Sequence, residues 1–179
     1  DNSNATTYTQ TIIVKDNIIP KELQDYYHTL VFGSEKINAM LPLVCKYEPT
    51  AYDGAKMPVS FEHVLKSSTK LTEHYGNFSK IPQTVFAELK IDFIDIIAAR
   101  LFITVPHKTK LDFYAPHTDR PEKHLGLIYY VNDSDGDTVF FEKEKIIEKV
   151  TPKKGRIVLF DGETLHSGGF PTDNPRCIV

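Results

Sequence analysis

Residues 114–119 read Tyr114-Ala115-Pro116-His117-Thr118-Asp119, an imidazole and a carboxylate two positions apart at the end of a short β-type run. Side chains of an extended chain alternate in direction, so His117 and Asp119 point to the same side. The pair alone says little. The chain holds seven histidines, and a hydrogen-bonded histidine or a turn explains His-x-Asp as well as a metal does. Its surroundings carry more. From Arg100 onward β-rich runs recur at 101–105, 111–115, 125–131, 138–142, 146–150, 156–160, 165–168 and 176–179. Between them lie Asn132-Asp133-Ser134-Asp135-Gly136-Asp137, Pro152-Lys153-Lys154-Gly155, Asp161-Gly162 and Pro171-Thr172-Asp173-Asn174-Pro175. These are turn formers by fixed φ, tolerated positive φ or self-bonding side chains. Many short strands at close spacing predict a sandwich, jelly roll or barrel.

The half before Arg100 is built differently. Residues 1–10 are polar and read as a loose tail. Thr11-Ile12-Ile13-Val14 reads as a first strand, added at the edge of the main sheet. Pro20 sets φ for a helix start, Leu23, Tyr26, Tyr27, Leu30 and Val31 follow at helical spacing, and Gly33 ends the helix. Residues 34–80 are mixed in polarity, with Pro42, Pro49, Gly54, Pro58 and Gly76 scattered through them. A short helix over 60–66 is one expectation there. The segment reads equally as a substrate-covering region or as structural loop. Pro82 opens a longer helix to about residue 98, with Phe86, Leu89, Phe93 and Ile97 on a stripe that must lie on a sheet. The expected organisation is one domain, 1–179. Residues 11–99 supply a strand and helical support, and residues 100–179 a mainly β core, an α+β fold.

Composition narrows the class. A chain of 179 residues with 41% hydrophobic and 25% charged residues can bury a core of ordinary size. A net charge of −3 offers no global field for nucleic acid or an anionic membrane. No apolar run reaches the length that spans a bilayer. Cys45 and Cys177 lie far apart in sequence. A domain this large needs no staple, so a reducing, cytoplasmic setting is the expectation. Nothing in the pattern fixes an oligomeric state.

Two later residues complete a constellation. His166 falls in the run 165–168, which a jelly roll can return beside an early strand, and Arg176 opens the last run. Two imidazoles and one carboxylate suit a ferrous ion with one face of its octahedron left open. Arg176 offers a planar fork for the carboxylate of an acid co-substrate, its alternative being an exposed strand charge.

In this order the stretch 100–179 resembles the prolyl-4-hydroxylase-like branch of the Fe(II)/2-oxoglutarate-dependent dioxygenases. Tyr114-Ala115-Pro116-His117-Thr118-Asp119 is similar to the branch's strand carrying the first two iron ligands. Leu127-Ile128-Tyr129-Tyr130-Val131-Asn132 resembles its second core strand, and Gly136-Asp137-Thr138-Val139-Phe140-Phe141 its Gly-Gly-x-x-x-Phe hairpin. Pro152-Lys153-Lys154-Gly155-Arg156-Ile157-Val158-Leu159-Phe160 looks like the strand before the distal ligand. Leu165-His166-Ser167-Gly168-Gly169-Phe170-Pro171 with Arg176 resembles the last ligand and the 2-oxoglutarate site.

The resemblance implies a double-stranded β-helix (jelly roll, cupin-like) buttressed by N-terminal helices. It implies Fe(II) held by His117, Asp119 and His166, with 2-oxoglutarate as co-substrate, O2 as oxidant and ascorbate as an optional reductant. Arg176 would pair with the distal carboxylate of 2-oxoglutarate, and Tyr130 would donate its hydroxyl to it. Tyr114 is a further candidate there, and Thr164 a wall residue. The implied activity is hydroxylation of an unactivated C–H bond, first of all on a prolyl residue of a peptide or protein, with succinate and CO2 as co-products. A free amino acid or other small molecule is the competing substrate class. A jelly-roll metal-binding module without catalysis is the non-enzymatic reading. Nucleic acid is not expected, because no basic, aromatic-lined groove stands out. An Ala or Gly at 119 would have opened a halide position, so Asp119 favours hydroxylation.

Three positions depart from the branch or vary within it. The Tyr often found ten positions before the first ligand is His107, the second hairpin Gly is Asp137, and the acid anchor is Arg rather than Lys. His124 shares strand parity with Tyr130 and would face the cavity or lie at the surface.

Overall fold

In the computed structural model, residues 11–39, 41–46 and 58–179 are described. The first half builds β1 (Ile12–Lys15), α1 (Lys21–Phe32), β2 (Val44–Lys46), β3 (Ser60–Lys66), α2 (Tyr75–Phe78) and α3 (Lys80–Leu89). The second half continues with β4 (Ala99–Thr104), β5 (Leu125–Tyr129), β6 (Thr138–Glu142), β7 (Lys145–Val150), β8 (Ile157–Asp161), β9 (Leu165–Gly168) and β10 (Arg176–Ile178).

The strands form three antiparallel ladders, in the orders β1-β8-β5, β10-β4-β3-β2 and β7-β6-β9. A bridge between Tyr130 and Ile178 joins the first two into one layer. The third faces that layer and is continued by bridges at Phe113–Gly169 and His117–His166. The result is a mostly β sandwich with helices packed on its outside. Among the described residues no helix is long and apolar enough to cross a membrane.

Strand alternation makes two cores from one sequence. On β5 and just beyond, Ile128 and Tyr130 point between the sheets and meet Phe140, Val150, Val158 and Phe160. Leu127, Tyr129 and Val131 point the other way, toward the helices. There Tyr27 of α1 stacks on Phe78 at 5.4 Å and meets the edge of Tyr129 at 5.6 Å. β5 and β8 are therefore covered on both faces, which is why they read as near-continuous apolar runs.

Several expectations hold. β1 is an edge strand on β8, α1 follows Pro20 and ends at Gly33 with φ 75°, and Tyr27, Leu30 and Val31 are its buried face. Tyr26 turns outward and bonds Asn77 at 3.1 Å. The runs at 138–142 and 165–168 are strands to the residue.

Others are corrected. The expected helix over 60–66 is strand β3. Its apolar residues Phe61, Val64 and Leu65 sit at helical spacing, yet Phe61 and Leu65 keep a strand's two-residue alternation and join the helix-side core, while Val64 pairs with Arg100 on the other face. The helix expected to run from Pro82 to about residue 98 starts at Lys80 and stops at Leu89. Lys90 takes the left-handed conformation (φ 55°) and caps the carbonyls of Ala87 and Phe86, and the chain folds back so that Phe93 meets Phe86 at 4.8 Å. The run 111–115 is not a ladder strand: it holds one bridge, Phe113–Gly169, and a second, His117–His166, follows just beyond it. Their register slips by one residue across a gap holding Pro116, which has no N–H to give. β2 was not anticipated. Cys45 and Cys177 are free thiols on the two outermost strands of one ladder, so no staple joins them. The expected tail 1–10, and residues 47–57 of the expected covering segment, lie outside the described residues. The rest of 34–80 contributes β2, β3 and α2, with Phe78 buried in the core.

Two stability predictions follow from local geometry. Gly126 pairs with Phe160, and a Cβ there would overlap the Phe160 ring. Gly126→Ala is expected to destabilise by about 1–3 kcal/mol through overpacking, read as a lower urea midpoint at unchanged slope. Asp16 receives both forks of Arg156, at 2.7 and 2.8 Å, tying the turn after β1 to the start of β8. That hydrogen-bonded pairing holds its pKa below the usual carboxylate value, against partial burial. A depressed carboxylate stabilises above its unfolded-state pKa and loses that contribution as pH falls through the folded value. With the Asp16 side chain 45% exposed, Asp16→Asn is expected to cost about 0.5 kcal/mol at pH 7. The difference from the parent should shrink in a urea series as pH falls through the folded-state pKa and vanish once Asp16 is protonated in both states.

Candidate active site

His117 and His166 face each other across an antiparallel bridge, each backbone N–H donating to the other's carbonyl at 3.0 Å. Asp119 follows two residues after His117, on the same side. The ring nitrogens and carboxylate of His117, Asp119 and His166 lie within 4.8 Å of one another. Nε2 of His117 is 3.7 Å from one Asp119 oxygen, and Nε2 of His166 is 3.5 Å from the other.

The rings are oriented by their own loops. Nδ1 of His117 sits 3.0 Å from the Ala115 carbonyl, and Nδ1 of His166 lies 3.0 Å from that of Thr164. A carbonyl only accepts, so a neutral ring at either position would carry its proton on Nδ1 and leave Nε2 free for a metal. His166 is further held by the edges of Phe160 at 4.8 Å and by Phe140 at 6.1 Å. Asp119 is held down to about 2, chiefly by His166, with Arg100 and His117 adding to this against the opposing effect of burial. The cluster therefore offers two imidazoles and one carboxylate. Those donors fit a divalent transition metal, with second contacts already in place to orient them.

Arg176 is the other half of the site. It is 3% exposed, its Nε donates to the Gly136 carbonyl at 2.9 Å, and one Nη donates to the Thr138 hydroxyl at 2.7 Å. Tyr130 donates to the same Thr138 oxygen at 2.6 Å and lays its ring 6.0 Å from the guanidinium carbon. Burial pushes the Arg176 pKa down, opposed by Tyr130, Tyr114 and Cys177. Burial likewise pushes the Tyr130 phenol up, so it stays a donor. Among the described residues no carboxylate forms an ion pair with Arg176. A buried guanidinium without an anion is costly, since it keeps its charge.

The expected residues thus fall in two adjoining groups on one inner face. Phe140 lies opposite His166, and Thr138 lies opposite Gly168. Gly168 is two residues from His166, roughly 7 Å along the strand. It lacks the side chain that would press on Arg176: a Cβ there would be 3.2 Å from Nη1. Tyr114 stands edge-on to Phe170 at 4.5 Å, and its N–H bonds the Gly168 carbonyl at 3.0 Å. Thr164 is fully buried in the wall.

The histidines at the other flagged positions stand apart. His107 lines a cleft of about 320 Å³ with Lys108, Asp137, Val139, Gly169 and Phe170, on the outer side of β6 rather than at the triad. His124 packs over Gly162 with Nδ1 2.7 Å from the Glu122 carbonyl, and so does not face the triad. Thr138, which joins Tyr130 to Arg176, was missed; its strand parity with Phe140 was the available signal.

No protein-family model matches the sequence, and no curated protein matches it. Solved structures do resemble it in fold. A Trichoplax adhaerens prolyl hydroxylase in complex with a hypoxia inducible factor oxygen degradation domain peptide aligns over 95% of this chain and 81% of its own, at 13% identity and a TM-score of 0.61. A Pseudomonas putida prolyl-4-hydroxylase aligns over 95% and 90%, at 15% identity and 0.60. A 2OG-Fe(II) oxygenase family oxidoreductase from Burkholderia pseudomallei aligns over 87% of each chain, at 11% identity and 0.62. At these identities the likeness speaks for architecture: the chain is built on the prolyl-4-hydroxylase-like 2OG-Fe(II) oxygenase fold.

Proposed function

We propose that the protein is an Fe(II)- and 2-oxoglutarate-dependent dioxygenase that hydroxylates an unactivated C–H bond, with a prolyl residue of a peptide or protein as its first-choice substrate. On this reading residues 1–179 form one domain, and its β core is a double-stranded β-helix. The observation that carries the reading is Arg176, a buried cation with no acidic partner among the described residues, set beside a His-Asp-His cluster. The two groups are separated along β9 by about the length of a five-carbon diacid.

When bound, iron and 2-oxoglutarate supply the oxidising chemistry, with O2 consumed and succinate and CO2 formed. The chain's own residues bind, orient and exclude water. His117 and His166 present Nε2 because their Nδ1 protons are committed to Ala115 and Thr164. Asp119 adds the negative ligand that offsets the metal's charge. Arg176 would bind the distal carboxylate through the N–H groups it does not give to Gly136 and Thr138, and the Tyr130 hydroxyl would turn its single proton from Thr138 to the acid. Tyr114 stands on the wall of this pocket. Ile128, Phe140, Val158 and Phe160 keep its floor dry.

A peptide substrate is favoured by the open side of the cluster. His117 and Asp119 keep 47% and 37% of their side chains exposed, so a large substrate reaches them without entering the sandwich. The peptide seen with the Trichoplax enzyme supports the same choice. The test is a panel of proline-containing peptides beside free L-proline, incubated with Fe(II), 2-oxoglutarate and air and read by mass spectrometry. Addition of one oxygen to a prolyl peptide is expected. Oxygen addition to free proline alone would move the substrate class to small molecules.

A further inference from the structure

Among the described residues Arg100 has one weak partner, and that partner is a proposed metal ligand. On β4, Leu101 and Ile103 belong to the helix-side core, so Arg100 and Phe102 share the opposite face, toward the triad. The β3 bulge lies directly across from it: Val64 pairs with Arg100 and Lys66 with Ala99, leaving Leu65 as the extra, fully buried residue. Bulges bend a strand and re-aim side chains next to functional sites. The Arg100 side chain is 57% exposed and touches Asp119 through a single nitrogen at 3.4 Å. A guanidinium has five N–H donors, so most of this fork is open. The cations nearby are differently engaged. Lys46 is held by Glu62 at 3.1 Å, and Arg120 by Glu122 at 3.3 Å. Once a metal shares the Asp119 charge, Arg100 is an open cation beside the reacting position.

We infer that Arg100 docks a carboxylate carried by the substrate itself, next to the C–H bond to be oxidised. The inference rests on the oxygenase reading and names what that site recognises. Arg176 binds the acid co-substrate inside the sandwich, whereas Arg100 binds a second acid group at its mouth. The carboxylate belongs either to an acidic side chain flanking the target residue or to the α-carboxylate of a free amino acid.

The test uses the protein loaded with Mn(II) and 2-oxoglutarate, and two matched pairs of probes. One pair is a proline peptide with a flanking Glu and the same peptide with Gln; the other is L-proline and L-prolinamide. The acid member of one pair is expected to bind about tenfold or more tightly than its neutral partner, the range of a charge-assisted hydrogen bond. Preference within the peptide pair identifies a side-chain carboxylate, and preference within the proline pair an α-carboxylate. Arg100→Gln should erase the preference, and Arg100→Glu should favour a peptide with flanking Lys. Equal binding within both pairs, including no binding by any probe, overturns the inference. So does a preference that persists in Arg100→Gln while its Mn(II) affinity falls, because Arg100 would then only position Asp119. Metal-dependent 2-oxoglutarate binding is read in the same titrations. Its loss in the parent protein would count against the oxygenase reading, and its presence with flat probe pairs would count against Arg100 alone.

Discussion

Arg176→Ala is expected to lower the affinity of the Mn(II)-loaded protein for 2-oxoglutarate by about 30-fold to several thousand-fold, the range for truncating one partner of a buried charged pair. The variant loses both donors that face Gly136 and Thr138 and leaves the Tyr130 hydroxyl bonded to Thr138. Arg176→Lys keeps the charge but not the planar fork, and should sit between the two, about tenfold below the parent. Calorimetric titration measures both. Thermal unfolding of the metal-free proteins separates lost binding from lost fold. Arg176 is a buried cation without an acidic partner among the described residues, so its removal should cost the free protein little. If Arg176→Ala bound 2-oxoglutarate as the parent does, the assignment of the co-substrate pocket would be wrong.

Asp119→Ala is the second large effect. Asp119 is the one anionic donor in the cluster, and without it two imidazoles remain. Mn(II) affinity should fall by about 100-fold or more, beyond the 10- to 100-fold typical of losing an outer-shell partner. A ligand that binds only the folded state raises its melting temperature. Saturating Mn(II) should therefore stabilise the parent, removal by a chelator should reverse this, and Asp119→Ala should melt at the same temperature with or without metal. The substitution itself should be mild, because Asp119 is partly exposed. His166→Ala makes the contrast: it also removes a ring packed between Phe140 and Phe160, so it should lower stability with no metal present.

The sequence was most legible where strand period and turn chemistry agreed. From residue 99 onward each named strand of the structure overlaps an expected run, and His117, Asp119 and His166 lie within 4.8 Å of one another. The site's second group was only partly visible. Tyr130 and Arg176 could be named, but Thr138 could not, because a threonine in a β-rich hairpin looks like any strand residue until two donors converge on it. Arg100 was hidden for a similar reason: a charged residue at the start of a strand reads as solvated until the β3 bulge and Asp119 are placed around it.

The first half was harder for a physical reason. At Phe61, Val64 and Leu65 apolar residues on both faces of one strand produced a helix's spacing. At Phe86, Leu89, Phe93 and Ile97 a helical stripe continued past a left-handed cap at Lys90 that no glycine announces. In both places tertiary contacts overrode the local pattern. The Phe86–Phe93 stack rewards a reversal that the periodicity alone argues against.

The most direct test of the proposed activity is succinate formed from 2-oxoglutarate under air with Fe(II) and ascorbate, measured for the parent, Asp119→Ala and Arg176→Ala side by side. Iron-dependent succinate is expected from the parent and none above background from either variant. Succinate formation that survives loss of Asp119 or of Arg176 would contradict it, as would a parent protein that forms none and binds no 2-oxoglutarate in the presence of metal.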